Sequence, residues 1–276
     1  MSAPEQRGSA AAWRLETRMV EKVWGRDILP APFDAPAGAR IGEIWFEPPP
    51  QMPDLLVKYL FTSEKLSVQV HPSDADAISG EAGKTECWLV LEAEPGAQLA
   101  IGFEQEQSAE AIKAAALNGS IEQLLSWHDV APGDVFELPP GTVHAIGPGL
   151  ALVEVQQNSD TTFRLYDYGR PRELHLERGL AVLNAEPHPA RLRGTIAARG
   201  RALVQNEHFR FDRIEGEPDE GVLADYPGGA LILPLEGVVQ SEKGDVAARA
   251  GECLYTPALH ALDFTAARVS LLARSQ

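Results

Sequence analysis

The residues best suited to chemistry lie in three short motifs of this sequence. These are Ser-Val-Gln-Val-His-Pro at residues 67–72, Gly-Lys-Thr-Glu at 83–86 and Gly-Thr-Val-His at 141–144. Gln69 and His71 are two residues apart, so on a β-strand both side chains leave the same face. Two imidazoles, one carboxylate and one amide oxygen form a donor set for a divalent metal ion, and histidine with carboxylate suits Zn²⁺.

Spacing alone leaves two interpretations of these motifs open. A histidine on a strand is commonly an ordinary surface or hydrogen-bonded residue, and a single glutamine carries no signal. A metal site is the alternative, and its predicted ligands are Gln69, His71, Glu86 and His144.

Short β-strands must position these motifs. Proline (21 residues) and glycine (24 residues) recur between short apolar runs, which is typical of strands joined by turns and predicts an all-β sandwich or barrel. The candidate strands are Ile41–Phe46, Leu56–Phe61, Leu66–Val70, Glu86–Leu91, Gln98–Gly102, Val135–Leu138, His144–Ile146 and Leu150–Gln156.

One helical insertion interrupts the strand pattern at about residues 108–127. The segment is rich in alanine and has apolar residues at helical spacing. Ser108 resembles an N-cap, and Asn118-Gly119 is a typical stop signal before a second short helix.

An internal echo indicates a second copy of the same unit. Residues 132–139, Pro-Gly-Asp-Val-Phe-Glu-Leu-Pro, are followed by His144, and residues 250–257, Ala-Gly-Glu-Cys-Leu-Tyr-Thr-Pro, are followed by His260. Such self-similarity predicts two copies of one β-barrel unit.

The expected organisation has three parts. Residues 1–12 form a disordered tail, residues 13–175 form the metal-binding barrel, and residues 176–276 form a linker helix with a second, degenerate barrel. The second copy lacks an upstream Gln-x-His and Lys-x-Glu, and one imidazole cannot hold a zinc ion, so this copy should not bind metal.

Composition excludes several classes of function. The formal net charge is −16, from 24 Lys and Arg against 40 Asp and Glu, which argues against nucleic acid or an anionic membrane as the main partner. No apolar run approaches the roughly 20 residues of a membrane-spanning helix, and the N-terminus lacks the apolar core of a secretory signal. With only two cysteines, a disulfide framework is not expected, and the predicted location is the cytoplasm.

Taken in order, the three motifs strongly resemble the type I phosphomannose isomerases (mannose-6-phosphate isomerases) in their short bacterial form. Further matches are Glu-Lys-Val-Trp-Gly at 21–25, Gly-Glu-Ile-Trp at 42–45, and the long block Val-Gln-Gln-Asn-Ser-Asp-Thr-Thr-Phe-Arg-Leu-Tyr-Asp-Tyr-Gly-Arg at 155–170. The resemblance covers about residues 20–183 well and the remainder weakly. Single motifs of this kind are common among cupins, whereas the long block is highly specific. The resemblance implies a double cupin, in agreement with the internal repeat.

The resemblance also implies an activity and a set of site residues. The family interconverts mannose 6-phosphate and fructose 6-phosphate and binds one zinc, whose ligands fall on Gln69, His71, Glu86 and His144; another divalent metal remains open. Its active-site lysine and arginine fall on Lys84 and Arg164, its further carboxylates fall on Glu154 and Asp160, and Arg170 stands where larger members have lysine.

The chemistry of an aldose–ketose isomerisation requires such groups. A proton leaves C2 and one returns to C1 through an enediol, so a base must lie within reach, and Glu154, Asp160 and Lys84 are the candidates. We expect Arg164 to stabilise the enediolate. The predicted phosphate-binding residues are Arg170 and Lys84, with Ser67 donating a neutral hydrogen bond.

Two other functions compete with the isomerase. One is a cupin that binds a sugar or sugar phosphate as a regulator without converting it, and the other is a metal-dependent oxygenase on the same barrel. The family's usual Gly-Glu-Ser-Trp-Glu is Gly-Glu-Ile-Trp-Phe at residues 42–46, so Ile44 and Phe46 raise a question about substrate preference. The sequence leaves the oligomeric state open.

Overall fold

The computed structural model of the protein describes residues 11–78 and 80–276. Strands dominate this part of the chain, as the sequence predicted, and all eight candidate strands are present with ends within two residues of the expected ones. The predicted disordered tail falls largely on residues 1–10, which lie outside the described residues.

The strands are numbered in chain order. The first thirteen are β1 (Trp13–Arg14), β2 (Thr17–Arg26), β3 (Ile41–Phe46), β4 (Leu55–Phe61), β5 (Val68–Val70), β6 (Glu86–Ala93), β7 (Gln98–Phe103), β8 (Leu125–Asp129), β9 (Asp134–Leu138), β10 (His144–Ile146), β11 (Leu150–Gln157), β12 (Phe163–Tyr166) and β13 (Arg193–Thr195). The remaining strands are β14 (Ala202–Gln205), β15 (Phe209–Glu215), β16 (Ala230–Ser241), β17 (Ala247–Arg249), β18 (Leu254–Thr256), β19 (Leu262–Asp263) and β20 (Ala267–Ser275).

Helices are few and short in the described residues. The α-helices are α1 (Ala109–Asn118), α2 (Leu176–Val182), α3 (Ile196–Arg199) and α4 (Glu220–Asp225), and single 3₁₀ turns cover Ser120–Gln123, Ala190–Leu192 and Leu259–Ala261. The Ser108 hydroxyl accepts a hydrogen bond from the Ala111 amide at 3.1 Å, as the predicted N-cap requires. The helical insertion ends earlier than residue 127, because the chain already pairs with β7 as strand β8.

The chain forms two compact units. The first contains Thr17–Trp45 and Pro53–Arg199, and the second contains residues 11–16, Phe46–Met52 and Gly200–Gln276. The predicted division at residue 176 differs from the observed one because β13 pairs with β9, which holds the segment after α2 in the first unit.

The first unit is a sandwich of two antiparallel sheets. One sheet has the order β13-β9-β6-β11-β4-β3-β2, and the other has the order β12-β5-β10-β7-β8. Apolar side chains of both sheets form one cluster, to which Trp88 and Leu152 contribute from the first sheet and Leu99 and Ile146 from the second. The outer face of the five-stranded sheet is covered by α1 and α2, so the inner face is left for the candidate site.

The second unit repeats the strand order of the first. Its sheet runs β1-β18-β16-β20-β15-β14, in which β18, β16, β20 and β15 follow one another as β9, β6, β11 and β4 do in the first unit. The far half of β16 pairs with β17 and β19, as β7 pairs with β8 and β10. The repeat that the sequence indicated therefore extends to the topology.

Candidate active site

Three predicted site residues lie in one row across the five-stranded sheet. Gln69 on β5 is directly opposite His144 on β10 and directly opposite Arg164 on β12. Side chains that are opposite each other in an antiparallel pair leave the same face. The flanking Val68 and Val70 point to the helical side and pack into its apolar cluster, so the alternation of this short strand aims Gln69 at the interior of the sandwich.

The facing sheet contributes Glu86. It begins β6 and lies opposite Leu138 and Gln156 on the neighbouring strands. The approach to this strand requires Gly83, because a Cβ there would lie 2.4 Å from the Asp74 backbone nitrogen. Gly83 donates a hydrogen bond to the Asp74 side chain at 2.7 Å, which fixes the turn that precedes Lys84 and Glu86.

A second glycine brings the last motif to the same place. Gly141 has φ +81°, a left-handed conformation that glycine adopts without a Cβ clash. Its amide donates to the His71 carbonyl at 2.8 Å. This bond joins the corner before β10 to the end of β5 and places His144 beside His71.

The side chains of His71, Glu86 and His144 converge as predicted. The His71 Nε2 atom lies 3.5 Å from Glu86 Oε2, and the His144 Nε2 atom lies 3.4 Å from Glu86 Oε1. One ligand atom from each of the three residues falls within 4.8 Å of the others, and all three residues are buried. Gln69 Nε2 is 3.1 Å from His144 Nε2, so all four predicted ligands meet.

Hydrogen bonds set the tautomer of both imidazoles. His71 Nδ1 is 2.8 Å from the Thr161 carbonyl oxygen, and His144 Nδ1 is 2.9 Å from the Thr142 carbonyl oxygen. A carbonyl only accepts, so each Nδ1–H donates and each Nε2 keeps its lone pair toward Glu86. Burial lowers the pKa of His144 to about 4 and holds the pKa of His71 well below its usual value, so both rings are neutral at pH 7, as metal ligands must be.

The donor set fits a divalent cation. Both carboxylate oxygens of Glu86 are buried and have no hydrogen-bond partner within the described residues, and the Lys84 ammonium lies 3.2 Å from Oε2, so both oxygens remain available to a bound cation. Ser67 Oγ donates to Gln69 Oε1 at 3.0 Å. A hydroxyl can equally accept from an amide nitrogen, so Gln69 can present its oxygen while Ser67 remains bonded to it.

A cavity of about 130 Å³ adjoins this cluster. Its walls contain every predicted site residue except His71, His144 and Arg170; those that line it are Ser67, Gln69, Lys84, Glu86, Glu154, Asp160 and Arg164. The cavity is also lined by residues to which the motifs gave no predicted site role, among them Lys22, Trp24, Glu43, Lys58, Trp88, Thr162 and Arg172.

Lys84 and Glu154 are both buried in the cavity wall. Lys84 Nζ lies 3.2 Å from Glu86 Oε2 and 3.3 Å from His71 Nε2. Glu154 accepts a hydrogen bond from Trp88 Nε1 at 3.1 Å and pairs with Lys58 Nζ at 2.9 Å. Burial raises the pKa of Glu154 against the opposing charge of Lys58.

The Lys58 ammonium continues a buried row of charges along the seven-stranded sheet. It lies 3.5 Å from Glu43 Oε1, and Lys22 lies 3.0 Å from Glu43 Oε2. Burial opposes the ionisation of Glu43, but Lys58 and Lys22 overcome it and lower its pKa to about 2. The sequence signal for this row is the single lysine in the otherwise apolar strand Leu-Leu-Val-Lys-Tyr-Leu-Phe.

Arg164 lines the cavity, and the described carboxylates near it are not in direct contact with its guanidinium. Its guanidinium has no hydrogen bond or ion pair among the described residues. Partial burial and then the nearby charge of Arg172 lower its pKa. A cation in this state is ready to bind an anion.

The structure separates Arg170 from the cavity. Arg170 donates to the Lys65 carbonyl, Asp167 and Glu64, and it is absent from the described cavity wall, which contains Arg172 instead. Arg170 was predicted from its distance in sequence from Arg164. Which guanidinium faces the cavity depends instead on the fold of the turn after β12.

The two departures from the family pattern lie away from the cavity. Glu43 on β3 lines it, so the alternating Ile44 and Phe46 face the opposite side of the strand. Both are buried, and neither lines the described cavity.

Known proteins are similar to this chain in sequence. Mannose-6-phosphate isomerase ManA of Bacillus subtilis (strain 168) is 43% identical over 146 residues, covering 50% of this chain and 46% of that protein. Mannose-6-phosphate isomerase of Streptococcus mutans serotype c is 45% identical over 137 residues, covering 47% and 43%. YvyI of Bacillus subtilis (strain 168), which carries the mannose-6-phosphate isomerase name provisionally, is 38% identical over 213 residues, covering 69% and 67%.

The chain belongs to the mannose-6-phosphate isomerase family. The matched segments span about half the length of the first two relatives. A comparison with models of protein families finds no match.

Solved structures agree with this family and with the predicted fold. The crystal structure of the mannose 6-phosphate isomerase from Bacillus subtilis has a TM-score of 0.79 and 26% identity, and it covers 96% of this chain and 100% of that one. A zinc-bound mannose 6-phosphate isomerase has a TM-score of 0.67 at 15% identity, with coverage of 97% and 100%, a likeness of fold alone. The all-β double cupin predicted from the sequence is confirmed.

Helices of the described residues are too short or too polar to cross a lipid bilayer.

Proposed function

We propose that the protein is an aldose–ketose isomerase that interconverts mannose 6-phosphate and fructose 6-phosphate through an enediol. The observation that carries this proposal is the buried His71–Glu86–His144 cluster beside a cavity lined by Lys84 and Arg164. Membership of the mannose-6-phosphate isomerase family supports the same reaction.

The metal ligands in this proposal are Gln69, His71, Glu86 and His144. Their donor types favour zinc, with one ion per chain. When bound, the ion supplies Lewis-acid polarisation of the carbonyl oxygen of the open-chain sugar. The carbonyls of Thr161 and Thr142 orient the two imidazoles and keep each Nε2 available.

Proton transfer between C1 and C2 falls to the side chains of the cavity wall. Lys84 and Asp160 are the candidates that we favour, because the bonds of Glu154 to Trp88 and Lys58 already engage both of its oxygens. Glu154 then acts as a fixed negative charge beside the reacting carbons. A base that shuttles a proton between adjacent carbons must reach both.

Arg164 has the role of stabilising the oxyanion. Its guanidinium lines the cavity in the same row as Gln69 and His144, so it can donate to the second oxygen of a two-oxygen enediolate. Ser67 lines the same cavity and is available as a neutral donor to the phosphate end of the substrate. The substrate is a small anionic molecule, and the cytoplasm remains the predicted location.

The second unit has a structural role in this proposal. His260, the echo of His144, is exposed on a 3₁₀ turn. The metal-binding candidates of the described residues all belong to the first unit.

A coupled assay tests the function. Conversion of mannose 6-phosphate to fructose 6-phosphate is measured on metal-loaded protein, on chelator-treated protein and after zinc is returned. Turnover that disappears with the chelator and returns with zinc is the expected result. Binding of the sugar phosphate without turnover under every metal condition would instead support the regulatory cupin.

A further inference from the structure

The turn after β12 carries two arginines with different surroundings. Arg170 and Arg172 both contact the carboxylate of Asp167, the residue that follows the strand. Only Arg172 belongs to the described cavity wall, where Arg164 is its neighbour. The question is which of them meets the anionic end of the substrate.

Asp167 orients Arg172 with both oxygens. Arg172 Nε lies 2.6 Å from Asp167 Oδ2, and Arg172 Nη2 lies 2.7 Å from Asp167 Oδ1. This paired geometry fixes the plane of the guanidinium. The carboxylate is itself buried, so it forms a rigid base for Arg172, and the remaining nitrogen, Nη1, has no assigned partner among the described residues.

Arg170 is already fully engaged. Its Nη1 donates to the Lys65 carbonyl at 2.9 Å and to Asp167 at 3.2 Å, and its Nη2 donates to Glu64 at 2.9 Å. The guanidinium also lies 5.5 Å from the centre of the Tyr168 ring. Two carboxylates and a carbonyl therefore already bind its guanidinium, and these bonds hold the turn to neighbouring segments.

The turn that aims Arg172 is conformationally strained. Tyr168 has φ +56°, a left-handed conformation that L-residues with large side chains rarely adopt. Contacts offset this strain, since the Tyr168 hydroxyl donates to Glu122 at 3.3 Å and its ring stacks edge-on against Tyr166. Strain held in place at the edge of a cavity is a pointer to function.

Repulsion between two guanidiniums adds a second argument. Arg172 is the like charge that most disfavours the charged form of Arg164. A phosphate that accepts hydrogen bonds from Arg172 reduces this repulsion and leaves the Arg164 guanidinium for the enediolate. Asp167 neutralises only part of the charge because it is shared by two arginines.

We propose that Arg172, held by Asp167 on the Tyr168 turn, binds the phosphate group of the sugar phosphate, and that Arg170 braces the turn without contacting the substrate. The proposal rests on the proposed function only for the identity of the sugar phosphate. The shared chemistry is a phosphate monoester that enters the cavity beside Arg164.

The test is calorimetric titration of the metal-loaded protein with inorganic phosphate and with fructose 6-phosphate. Arg172→Ala should weaken both ligands by about tenfold to a hundredfold, the range for a hydrogen bond to a charged group. In the coupled assay the same variant should raise KM by a similar factor and leave kcat nearly unchanged. Arg249→Ala, at an exposed arginine of the second unit outside the cavity, is the matched control and should change neither.

Arg170→Ala separates the two arginines. It should lower the melting temperature, because the bonds of Arg170 stabilise the folded turn. It should change the phosphate affinity by less than about threefold, because Arg170 does not contact the substrate. Phosphate affinity within twofold of wild type in a folded Arg172→Ala variant, or an equal loss in both alanine variants, would overturn the proposal. Arg172→Lys serves as a second variant in case Arg172→Ala does not fold. Lysine keeps the positive charge but lacks the paired donors of a guanidinium, so this variant should bind phosphate with intermediate affinity.

The outcomes distinguish this proposal from the proposed function. If wild-type protein does not convert mannose 6-phosphate, yet Arg172→Ala loses phosphate binding, the isomerase is wrong and the phosphate site stands. If wild-type protein converts the substrate and Arg172→Ala binds phosphate normally, the phosphate site alone is wrong.

Discussion

The two units of this chain share an order of strands, but they differ in what those strands carry. In the first unit β9 lies next to β6, and β6 lies next to β11. In the second unit β18, β16 and β20 are neighbours in the same order. The first unit adds β5 and β12 at the edge of its second sheet, and these strands carry Gln69 and Arg164. The described residues of the second unit have no counterpart to that pair, and α4 occupies the connection in which β5 would lie.

The comparison shows that equivalent strands carry different side chains in the two units. In the first unit the repeated strands themselves hold Glu86 on β6, His144 on β10 and Glu154 on β11. The strands peculiar to the first unit, β5 and β12, complete the site with Gln69 and Arg164. Chemistry on this fold therefore depends on the side chains of a shared framework together with one added edge element, in keeping with the general rule that function lies in sites placed on a fold.

Two equivalent strands show the same contrast in their buried charges. On β4, Lys58 pairs with Glu43 and Glu154, and all three line the cavity. On β15, Arg210 pairs with Asp212 of the same strand and with Asp225. The buried charges are paired in both units, and in the first unit they also line the cavity.

The largest expected effect tests whether the metal belongs to the first unit. A His71→Ala, His144→Ala double variant should contain almost no metal and should lose turnover by about a thousandfold or more, because a bound metal contributes several kcal/mol to stabilising the developing charge. Elemental analysis and the coupled assay measure these quantities. A full metal complement in the double variant would refute the ligand assignment.

The buried charges of the first unit are the next target. Lys58→Met leaves Glu43 and Glu154 without their shared cation, and removing one partner of a buried pair typically costs about 3–5 kcal/mol in the free energy of unfolding. Urea denaturation of the variant measures this loss. Lys113→Met removes an exposed lysine that pairs with Glu177 and should cost less than about 1 kcal/mol. Equal midpoints for the two variants would contradict the prediction.

Replacing Arg164 tests whether β12 contributes to the transition state. Arg164→Ala should lower kcat and kcat/KM together by roughly a hundredfold, the usual loss when one charged donor to an oxyanion is removed. Arg164→Lys keeps the charge and loses the paired geometry. A wild-type kcat for Arg164→Ala at saturating mannose 6-phosphate would move the residue to substrate binding.

Acid should weaken the first unit through His188. Burial lowers the pKa of His188 to about 4 in the folded protein, against about 6.5 in an unfolded chain. Folding therefore favours the neutral ring, and this contribution is complete above pH 6.5 and declines as the pH falls toward 4. At pH 5 the loss amounts to about 2 kcal/mol for such a residue.

Thermal unfolding of chelator-treated protein at pH 7 and pH 5 measures this loss. His188→Gln removes the titrating ring and should reduce the difference in melting temperature between the two pH values. An unchanged difference would show that His188 does not contribute to acid sensitivity.

The smallest expected effect lies in the second unit. His260→Ala should change turnover by less than about twofold and stability by less than about 0.5 kcal/mol, as for most exposed positions. The coupled assay and a melting curve are sufficient measurements. A loss beyond about a hundredfold in a well-folded variant would make His260 catalytic and would end the contrast between the two units.

Short-range patterns in the sequence were sufficient for much of this structure. Proline and glycine spacing with apolar runs predicted the eight strands, because alternation and turn chemistry act over a few residues. The three motifs predicted the convergence of Gln69, His71, Glu86 and His144, since each motif pairs its chemistry with a turn of its own, as Gly83 and Gly141 show.

Tertiary structure alone decided the rest of the cavity wall. Lys58 and Glu43 meet because β4 lies between β3 and β11, and the order of strands depends on pairings between residues far apart in the sequence. Arg172 rather than Arg170 lines the cavity, on a turn in which Tyr168 takes a left-handed conformation. A local sequence reports the residue types at a turn, but the direction of each side chain follows from long-range packing, which no short motif contains.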